Sequence, residues 1–382
     1  MRIVYCLNSI RYLGGMPRVT INKANALADV QGNDVYVIVT DNKEGVQVQQ
    51  LSNKVHLIDL DINYYKGDTK RSQLANYLIG QVQRRAHKKK LYEELCRIKP
   101  DVVISVGTSE KYMLLSMRNR TWKIMREFHH VRKNYRSKTA NSLIEKVMAP
   151  ILDFYEFKLK DKSYDRIVVL TEGDKEANWK GWDNVRVMPN PVSFQCLNPS
   201  PLNEKSIVAI GRLDPIKNFS SLINAFKIVS QKHHDWTLKI YGDGALREDL
   251  EVQINKLELS DNVSLMGFTN NIEEALSSSS LFVLSSITEG FPLVILEAME
   301  CGVPVVSYQC PYGPQDIISD AKDGFLVPVG DERMMADRIC QLIEDEELRR
   351  KMGAAAKETA KQYHTDVITK QWMTLFGELV QS

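Results

Sequence analysis

The sequence contains no long hydrophobic run, and this absence excludes a protein with a membrane-spanning helix. Nothing in its 382 residues approaches the roughly 18 consecutive apolar residues that a membrane-spanning helix needs. The apolar start of the chain is interrupted at Arg11, too early for a secretory signal, so we expect a first strand followed by a loop. Both features favour a cytoplasmic protein.

Cysteine is scarce, and its six residues lie far apart, at positions 6, 96, 196, 301, 310 and 340. The sequence has neither a CxxC pair nor a Cys/His spacing typical of zinc, and it does not resemble the disulfide framework of a small secreted protein. We therefore expect free thiols in a reducing compartment and no bound metal.

Acidic residues are depleted in the first half of the chain. Residues 1–190 carry 33 Lys and Arg against 21 Asp and Glu, a formal charge of +12, whereas the remainder is at −10. No basic motif is interleaved with stacking aromatics, which argues against nucleic acid as a partner. The densest basic run, RRAHKKK (84–90), and the apolar NYLIG (76–80) favour an anionic membrane surface. A solvated helix face is the alternative interpretation.

What the chain does have is a regular alternation of short apolar runs with amphipathic stretches. Runs rich in Val, Ile and Leu predict strands buried on both faces of parallel sheets, at 2–8, 35–40, 55–60, 102–106, 123–128, 166–171, 206–211, 237–242, 263–268, 281–286, 303–308 and 324–329. This pattern predicts an α/β protein with two doubly wound, Rossmann-like domains that face each other across a cleft.

The proline-rich segment VMPNPV (187–192) interrupts this alternation and is typical of a domain boundary. We therefore expect a first domain at residues 1–192 and a second at 193–363. The last segment, 364–382, predicts a helix that packs back on the first domain through an apolar stripe of Val367, Trp372, Leu375, Phe376 and Leu379.

The most specific motif is TEGFPLVILEAMECGVPVV (288–306), in which seven residues separate Glu289 from Glu297. A helix is expected to begin near Leu293, and its free amides and positive dipole end suit a phosphate or sugar hydroxyls. Glu297 would then accept hydrogen bonds from a ribose. The alternative is two ordinary glutamates, one of which caps the helix.

Three weaker motifs also follow predicted strands of the second half. In IGRLDPIKN (210–218), Arg212 and Lys217 suit a diphosphate, unless they are only surface charges. Gly242 and Gly244 in IYGDGALRE allow a ligand to approach the backbone closely, and Phe268 follows the next strand in GFTNN. Because parallel strands end at one edge of a sheet, these motifs predict a single ligand site.

In this order, GRLDPIKN, YGDGALRE, GFTNN, SSITEGFPLVILEAMECGVPVVS and DGFLVPVGD resemble the retaining glycosyltransferases of the GT-B fold, family 4, over nearly all of residues 206–345. The resemblance implies transfer of a hexosyl or N-acetylhexosaminyl group from a nucleotide diphosphate sugar, with a UDP-sugar as the expected donor. CPYGPQDII (310–318) looks like the subgroup that builds capsular, exopolysaccharide or O-antigen chains. The implied acceptor is therefore a glycan or lipid-linked molecule.

The resemblance also implies roles for individual residues. Arg212 and Lys217 match the phosphate-binding pair of the family, and Glu297 matches the ribose ligand. Glu289 would face the donor sugar and phosphate together with the segment that follows it, Gly290, Phe291, Pro292, Leu293 and Val294.

In the first half, the resemblance matches Gly14 and Gly15 to a glycine-rich loop that approaches the donor. The motif REFHHVR (126–132) offers His129, rather than His130, as the catalytic histidine. A structural role for either histidine is the alternative.

The mechanism expected from these residues is metal-independent and needs no cofactor. Arg212, Lys217 and a helix start would stabilise the charge that builds on the departing diphosphate. The sugar would pass through an oxocarbenium-like state. Attack on the same face suits retention better than a covalent intermediate on Glu289, and His129 would orient the donor sugar or the acceptor.

Other functions fit the same residues less well. A nucleotide-sugar epimerase or a non-catalytic nucleotide-sugar-binding protein of the same fold is one alternative. A metal-dependent transferase of a different fold is another alternative. Such enzymes hold a metal with Asp-x-Asp at a strand end, and this sequence has Asp59-Leu60-Asp61 in that position.

Overall fold

The computed structural model describes residues 1–11, 15–42, 50–62, 64, 73–107, 109–118, 121–129, 148, 151, 154–155 and 160–381, with 73–75 described by their backbone alone. The chain forms two compact units. Unit 1 consists of Met1–Val169, Lys175–Met188 and Thr365–Ser382, and unit 2 consists of Leu170–Asp174 and Pro189–His364.

The boundary between the units differs slightly from the predicted one after residue 192. Unit 2 includes the segment from Pro189 onward because Val192 is buried in its core and its amide bonds to the carbonyl of Tyr363 at 2.8 Å. Leu170 packs in the same core, which accounts for the short segment Leu170–Asp174.

Unit 1 is built on a parallel sheet of seven strands in the order β3-β2-β1-β4-β5-β6-β7. The order reverses between β1 and β4, as in doubly wound folds. The strands are β1 (Arg2–Leu7), β2 (Asp34–Val39), β3 (Val55–Asp59), β4 (Val102–Ser105), β5 (Lys123–Glu127), β6 (Arg166–Val169) and β7 (Val185–Val187). Strand β7 was not predicted, because only three residues pair and the central Arg186 is exposed.

Among the described residues of this half, α1 (Gly15–Asp29) connects β1 to β2, α2 (Gln73–Ile98) connects β3 to β4, and α3 (Lys111–Ser116) connects β4 to β5. A 3₁₀ turn lies at Asp161–Ser163. The chain passes from unit 2 back to unit 1 within α4 (Glu172–Asn178).

Unit 2 is built on a parallel sheet of six strands in the order β10-β9-β8-β11-β12-β13, with the reversal between β8 and β11. The strands are β8 (Ser206–Ile210), β9 (Thr237–Tyr241), β10 (Val263–Gly267), β11 (Leu281–Leu284), β12 (Val305–Tyr308) and β13 (Gly324–Val327). The helices are α5 (Phe219–Lys232), α6 (Arg247–Lys256), α7 (Ile272–Ser277), α8 (Leu293–Glu300), α9 (Pro314–Ile317), α10 (Glu332–Glu344) and α11 (Glu346–Ala360).

The central strands, such as β4, β11 and β12, are buried on both faces, which explains their continuous apolar sequences. The edge strands β3 and β10 are exposed at several positions. In β8, Ile207 and Ala209 pack in the core on one face of the sheet, and Val208 packs in the core on the other. All twelve predicted strands are present, and the predicted α/β fold class is confirmed.

The last helix, α12 (Thr365–Gln381), follows a 3₁₀ turn at Lys361–Tyr363 and belongs to unit 1. Its buried stripe shares a core with residues of α1 and of the sheet of unit 1. The stripe consists of Ile368, Trp372, Leu375, Phe376 and Leu379, so Ile368 takes the place predicted for Val367.

Truncation of Trp372 is expected to destabilise unit 1. The side chain is 1% exposed and lies 5.4 Å from the ring of Phe376. Trp372→Ala leaves a large cavity, and a loss of about 3–5 kcal/mol in the free energy of unfolding is expected. Urea unfolding followed by circular dichroism measures this loss. Val380→Ala in the same helix removes an exposed side chain and is the control; equal losses for the two variants would contradict the packing described.

Among the described helices, none is both long enough and apolar enough to cross a membrane.

Candidate active site

The loop after β8 holds Lys217 in a fixed position. The Oδ1 atom of Asp214 accepts hydrogen bonds from the amides of Ile216 and Lys217, both at 3.1 Å, so the loop closes on its own aspartate. The hydroxyl of Ser285, which follows β11, donates to the carbonyl of Lys217 at 2.8 Å. These bonds join the loops that leave two neighbouring strands.

Lys217 and Glu289 meet at this edge of the sheet. The Nζ atom of Lys217 lies 2.7 Å from Oε1 of Glu289, and their side chains are 20% and 13% exposed. The two residues come from the loops after β8 and β11, the strands between which the order reverses. An ammonium group has three N–H donors, so a ligand phosphate can share Lys217 with Glu289.

Arg212 is on the same loop but makes a different contact. Its side chain is 78% exposed, and Nη2 lies 2.9 Å from Oδ2 of Asp214. A surface ion pair of this kind contributes about 0–1 kcal/mol, so the guanidinium is free to exchange this partner for a ligand.

Helix α8 begins directly after the loop that carries Glu289. Pro292 precedes the helix, so the amides of Leu293 and Val294 belong to its first turn and have no acceptor within the helix. Phe291 is 8% exposed and packs in the core of unit 2. Glu297, the predicted ribose ligand, is also buried, at 1% exposure.

The structure gives Gly242 and Gly244 a role within the fold. Gly242 has a φ of +143°, and a Cβ there would lie 1.8 Å from the carbonyl oxygen of Gly211. A Cβ on Gly244 would lie 2.5 Å from the carbonyl oxygen of Leu213. Both glycines therefore allow the loop after β9 to pack on the loop that carries Lys217. Their contact with a donor stays a prediction.

Phe268 lies at the same edge of the sheet, directly after β10. Its side chain is 57% exposed, and the carbonyl of the preceding Gly267 accepts a hydrogen bond from Gly242 at 2.8 Å.

Cys310 was not among the residues predicted from the sequence, although it lies beside Glu289. Burial and the carboxylate of Glu289 raise the pKa of its thiol to about 12, so the thiol is neutral at physiological pH. The same segment contacts the loop before α8, because a Cβ on Gly313 would lie 2.6 Å from Cδ of Pro292. The sequence indicated Cys310 only through its position. CPYGPQD follows β12, so it lies at the same edge of the sheet as the other motifs.

In unit 1, His129 lies just beyond β5. Its side chain is 7% exposed, and Nε2 is 3.2 Å from Oε1 of the buried Glu127. Gly15 is the exposed first residue of α1. Gly14 and His130, named with these two from the sequence, lie outside the described residues.

The Asp-x-Asp motif has a local role in the fold. Oδ1 of Asp59 accepts the amide of Asp61 at 2.9 Å, and Oδ2 accepts the amide of Asn42 at 3.2 Å. Asp59 thus stabilises the turn that ends β3 through both of its oxygens.

Another group of potential metal ligands lies away from Lys217. His233, Cys340 and Glu344 have ligand atoms within 4.8 Å of one another. They come from the ends of α5 and α10, at the edge where strands begin, so they are not part of the site around Lys217.

Two doubly wound parallel sheets, each with polar side chains beyond its strand ends, define a pair of Rossmann-like units of the nucleotide-binding type. Residues 197–359 match the family model described as group 1 glycosyl transferases. An uncharacterized glycosyltransferase from Methanocaldococcus jannaschii is 30% identical over 336 residues, covering 75% of this chain and 81% of the relative. The chain therefore belongs to the group 1 glycosyltransferases.

The match to two other relatives covers less than half of their length. An exopolysaccharide phosphotransferase from Streptomyces coelicolor is 39% identical over 227 residues, which are 58% of this chain and 24% of the relative. A poly(ribitol-phosphate) alpha-N-acetylglucosaminyltransferase from Staphylococcus aureus is 32% identical over 214 residues, which are 55% of this chain and 43% of that protein.

The fold also matches a solved structure over its whole length. A crystal structure of a TarM mutant from Staphylococcus aureus, in complex with Fondaparinux, alpha-GlcNAc-glycerol and UDP, has a TM-score of 0.76 and 17% identity. The match covers 98% of this chain and 99% of that one. It confirms the predicted GT-B fold, and the family match confirms that the protein is a glycosyltransferase.

Proposed function

We propose that the protein transfers a hexosyl or N-acetylhexosaminyl group, with retention of configuration, from a UDP-sugar to a glycan or lipid-linked acceptor in surface polysaccharide synthesis. The observation that carries this proposal is the 2.7 Å contact between Lys217 and Glu289 at the strand ends of unit 2. A lysine ammonium suits a diphosphate oxygen, and a carboxylate beside it suits sugar hydroxyls. The UDP in the TarM complex supports the choice of nucleotide.

The donor site stabilises the leaving diphosphate without a metal. Lys217 and the first amides of α8 supply positive charge where the negative charge of the leaving group develops. Arg212 adds a second cation when its exposed side chain moves to the donor. Because these groups do the work that a divalent cation does in other transferases, turnover is expected in the presence of EDTA.

Retention follows from attack on the same face of the sugar, as in family 4. The Oε1 atom of Glu289 is bonded to Lys217, which suits an acceptor of sugar hydroxyls better than a covalent nucleophile. The departing phosphate oxygen then helps to deprotonate the acceptor hydroxyl, and His129 orients the reacting groups.

A panel of UDP-, GDP- and ADP-sugars tests the donor proposal. With EDTA present, and with membrane extract as the source of acceptor, nucleotide release from one UDP-sugar is expected. Release that needs Mn²⁺, or release only from a GDP- or ADP-sugar, would contradict it. An epimerase would convert the sugar without releasing nucleotide, and a binding protein would retain the nucleotide sugar unchanged.

We also propose that the protein works at an anionic membrane surface, on the cytoplasmic side, through α2. One exposed face of this helix presents apolar and basic side chains at helical spacing: Leu78, Val82, Arg85, Lys89 and Tyr92. Not every residue of the basic run can face a membrane: His87 is buried, and the exposed Lys90 donates to the carbonyl of Leu60 at 2.6 Å. The membrane-facing charge is thus assigned to Arg85 and Lys89.

Sedimentation with phosphatidylglycerol vesicles tests this surface. Each basic residue near an anionic surface contributes about 1 kcal/mol, so Arg85→Gln/Lys89→Gln is expected to weaken binding about 30-fold. Lys256→Gln/Lys322→Gln removes the same charge from exposed positions of unit 2 and is the matched control. Equal binding of the two double variants to the vesicles would contradict the proposal.

A further inference from the structure

We infer that Glu127 is a positioning residue for His129, and that Lys23 holds Glu127 in place. The inference rests on the proposed glycosyl transfer, in which His129 orients the reacting groups. It adds two residues of unit 1 to which the sequence motifs assigned no role.

Side-chain alternation along β5 sets the arrangement. Met125 packs in the core that α1 and α12 share with the sheet, whereas Ile124 and Phe128 pack in the core on the opposite face. Glu127 lies on the Met125 face by alternation. His129 lies in the bend that follows the strand, and its imidazole contacts the carboxylate of Glu127, with Nε2 of His129 3.2 Å from Oε1 of Glu127.

Lys23 reaches the same carboxylate from α1. Its Nζ donates to Oε1 of Glu127, and the two side chains are 3% and 1% exposed. The Nζ atom also lies 5.0 Å from the centre of the Trp372 ring in α12. Burial lowers the pKa of the ammonium well below its usual value. A carboxylate in direct contact with an ammonium favours its charged form and opposes such a shift.

Stability alone does not account for this pair. Replacing a buried ion pair by apolar side chains is often neutral or stabilising, because taking two charges out of water costs more than their attraction returns. The surrounding positions of this core are apolar, so Leu or Met would fill the space. A buried charged pair next to a functional histidine is better explained by what it does to the imidazole.

The carboxylate affects the imidazole in two ways. A carboxylate beside one ring nitrogen favours the tautomer that carries its proton there, as in other carboxylate–histidine pairs. Because Nε2 is the ring nitrogen that lies 3.2 Å from Oε1 of Glu127, we infer that the carboxylate favours the tautomer with its proton on Nε2. The second carboxylate oxygen, Oε2, has no hydrogen-bond partner among the described residues, which leaves it able to accept from Nε2–H after a small rotation.

A double-mutant cycle separates positioning from a structural role. In the wild-type background, Glu127→Gln is expected to lower kcat about 10- to 100-fold, with the dissociation constant for UDP unchanged. In a His129→Ala background the same change should have almost no further effect, because Glu127 acts through the imidazole. Equal losses in both backgrounds would overturn the inference.

Glu127→Gln leaves the buried Lys23 without its carboxylate partner. If this unfolds unit 1, a second variant still tests the inference. Lys23→Met/Glu127→Leu removes both charges and is expected to keep the wild-type melting temperature while its kcat falls by a similar factor. Wild-type kcat in this folded variant would mean that the pair is only structural. If the wild-type protein turns over no nucleotide sugar, the proposed function fails instead.

A spectroscopic measurement gives a third outcome that does not depend on turnover. In ¹⁵N-histidine NMR spectra of the wild-type protein, His129 is expected to show a protonated Nε2 and an unprotonated Nδ1. The proton should redistribute between the two nitrogens in Lys23→Met/Glu127→Leu. An unchanged spectrum would contradict the positioning role.

Discussion

Lys217→Met is expected to lower kcat by at least about 100-fold, with unit 2 still folded. Removing one preorganised group that stabilises developing charge costs about 10²–10³ in rate. Lys217 is held for this task by the amide bonds of Asp214 and by the bond from Ser285 to its carbonyl. The loss should therefore appear in the chemical step, measured as nucleotide release at saturating donor.

Arg212→Met is the matched control for this prediction. Its guanidinium is exposed and pairs with Asp214, so removing it should raise KM more than it lowers kcat. Melting temperatures show whether both variants are folded, and Lys217→Met/Glu289→Gln removes the partner that the single variant leaves unpaired. A kcat for Lys217→Met within a few-fold of the wild-type value would contradict the donor site.

Gly242→Ala is expected to prevent unit 2 from folding correctly. The backbone there has a φ of +143°, and a Cβ would lie 1.8 Å from the carbonyl oxygen of Gly211, far inside van der Waals contact. The neighbouring loop cannot move away easily, because Gly211 and Leu213 each donate an amide hydrogen bond to the loop that carries Gly242. Soluble yield and thermal unfolding measure the effect, which should exceed the roughly 4–5 kcal/mol that marks exceptional substitutions.

Gly330→Ala separates the steric clash from backbone strain. Gly330 has a φ of +84°, but a Cβ there meets no atom within 4 Å. This variant is expected to lose only about 1–2 kcal/mol, the cost of the left-handed conformation for a residue with a side chain. Similar losses for Gly242→Ala and Gly330→Ala would mean that the two loops are not packed as described.

The elements that the sequence predicted best are those with the simplest pattern. Buried parallel strands are continuous apolar runs, so the pattern located strands such as β8 and β11 directly. Strand β7 was missed because Arg186 interrupts a run of only three residues. The assignment of Leu170–Asp174 to unit 2 depends on packing between distant segments, which no local pattern reveals.

The candidate site was predictable where motifs follow strands. Lys217 and Glu289 were both identified from their loops, but the 2.7 Å contact between them depends on the order of the strands. Lys23 and Glu127 are separated by 104 positions, and although Glu127 lies within REFHHVR, nothing in the sequence pairs it with Lys23. A buried pair of this kind becomes visible only when α1 is packed on the sheet.

Gly242 and Cys310 show the same limit of prediction from the sequence, because their roles depend on packing between loops that are distant in the chain. Gly242 was identified as a residue that lets a ligand approach the backbone, whereas the structure shows that it lets the loop after β9 approach the loop after β8. Cys310 begins the motif CPYGPQDII but was given no role from it, and its place beside Glu289 follows from the adjacency of β11 and β12.

The most direct test of the account is a time-resolved ¹H NMR spectrum of the enzyme acting on an α-linked UDP-sugar in EDTA. The coupling constant of the anomeric proton reports the configuration of the newly formed or released sugar, and the same spectrum follows consumption of the donor. The account predicts consumption without a metal and an α-configured product. A β-configured first product, or turnover that begins only when a divalent cation is added, would contradict it.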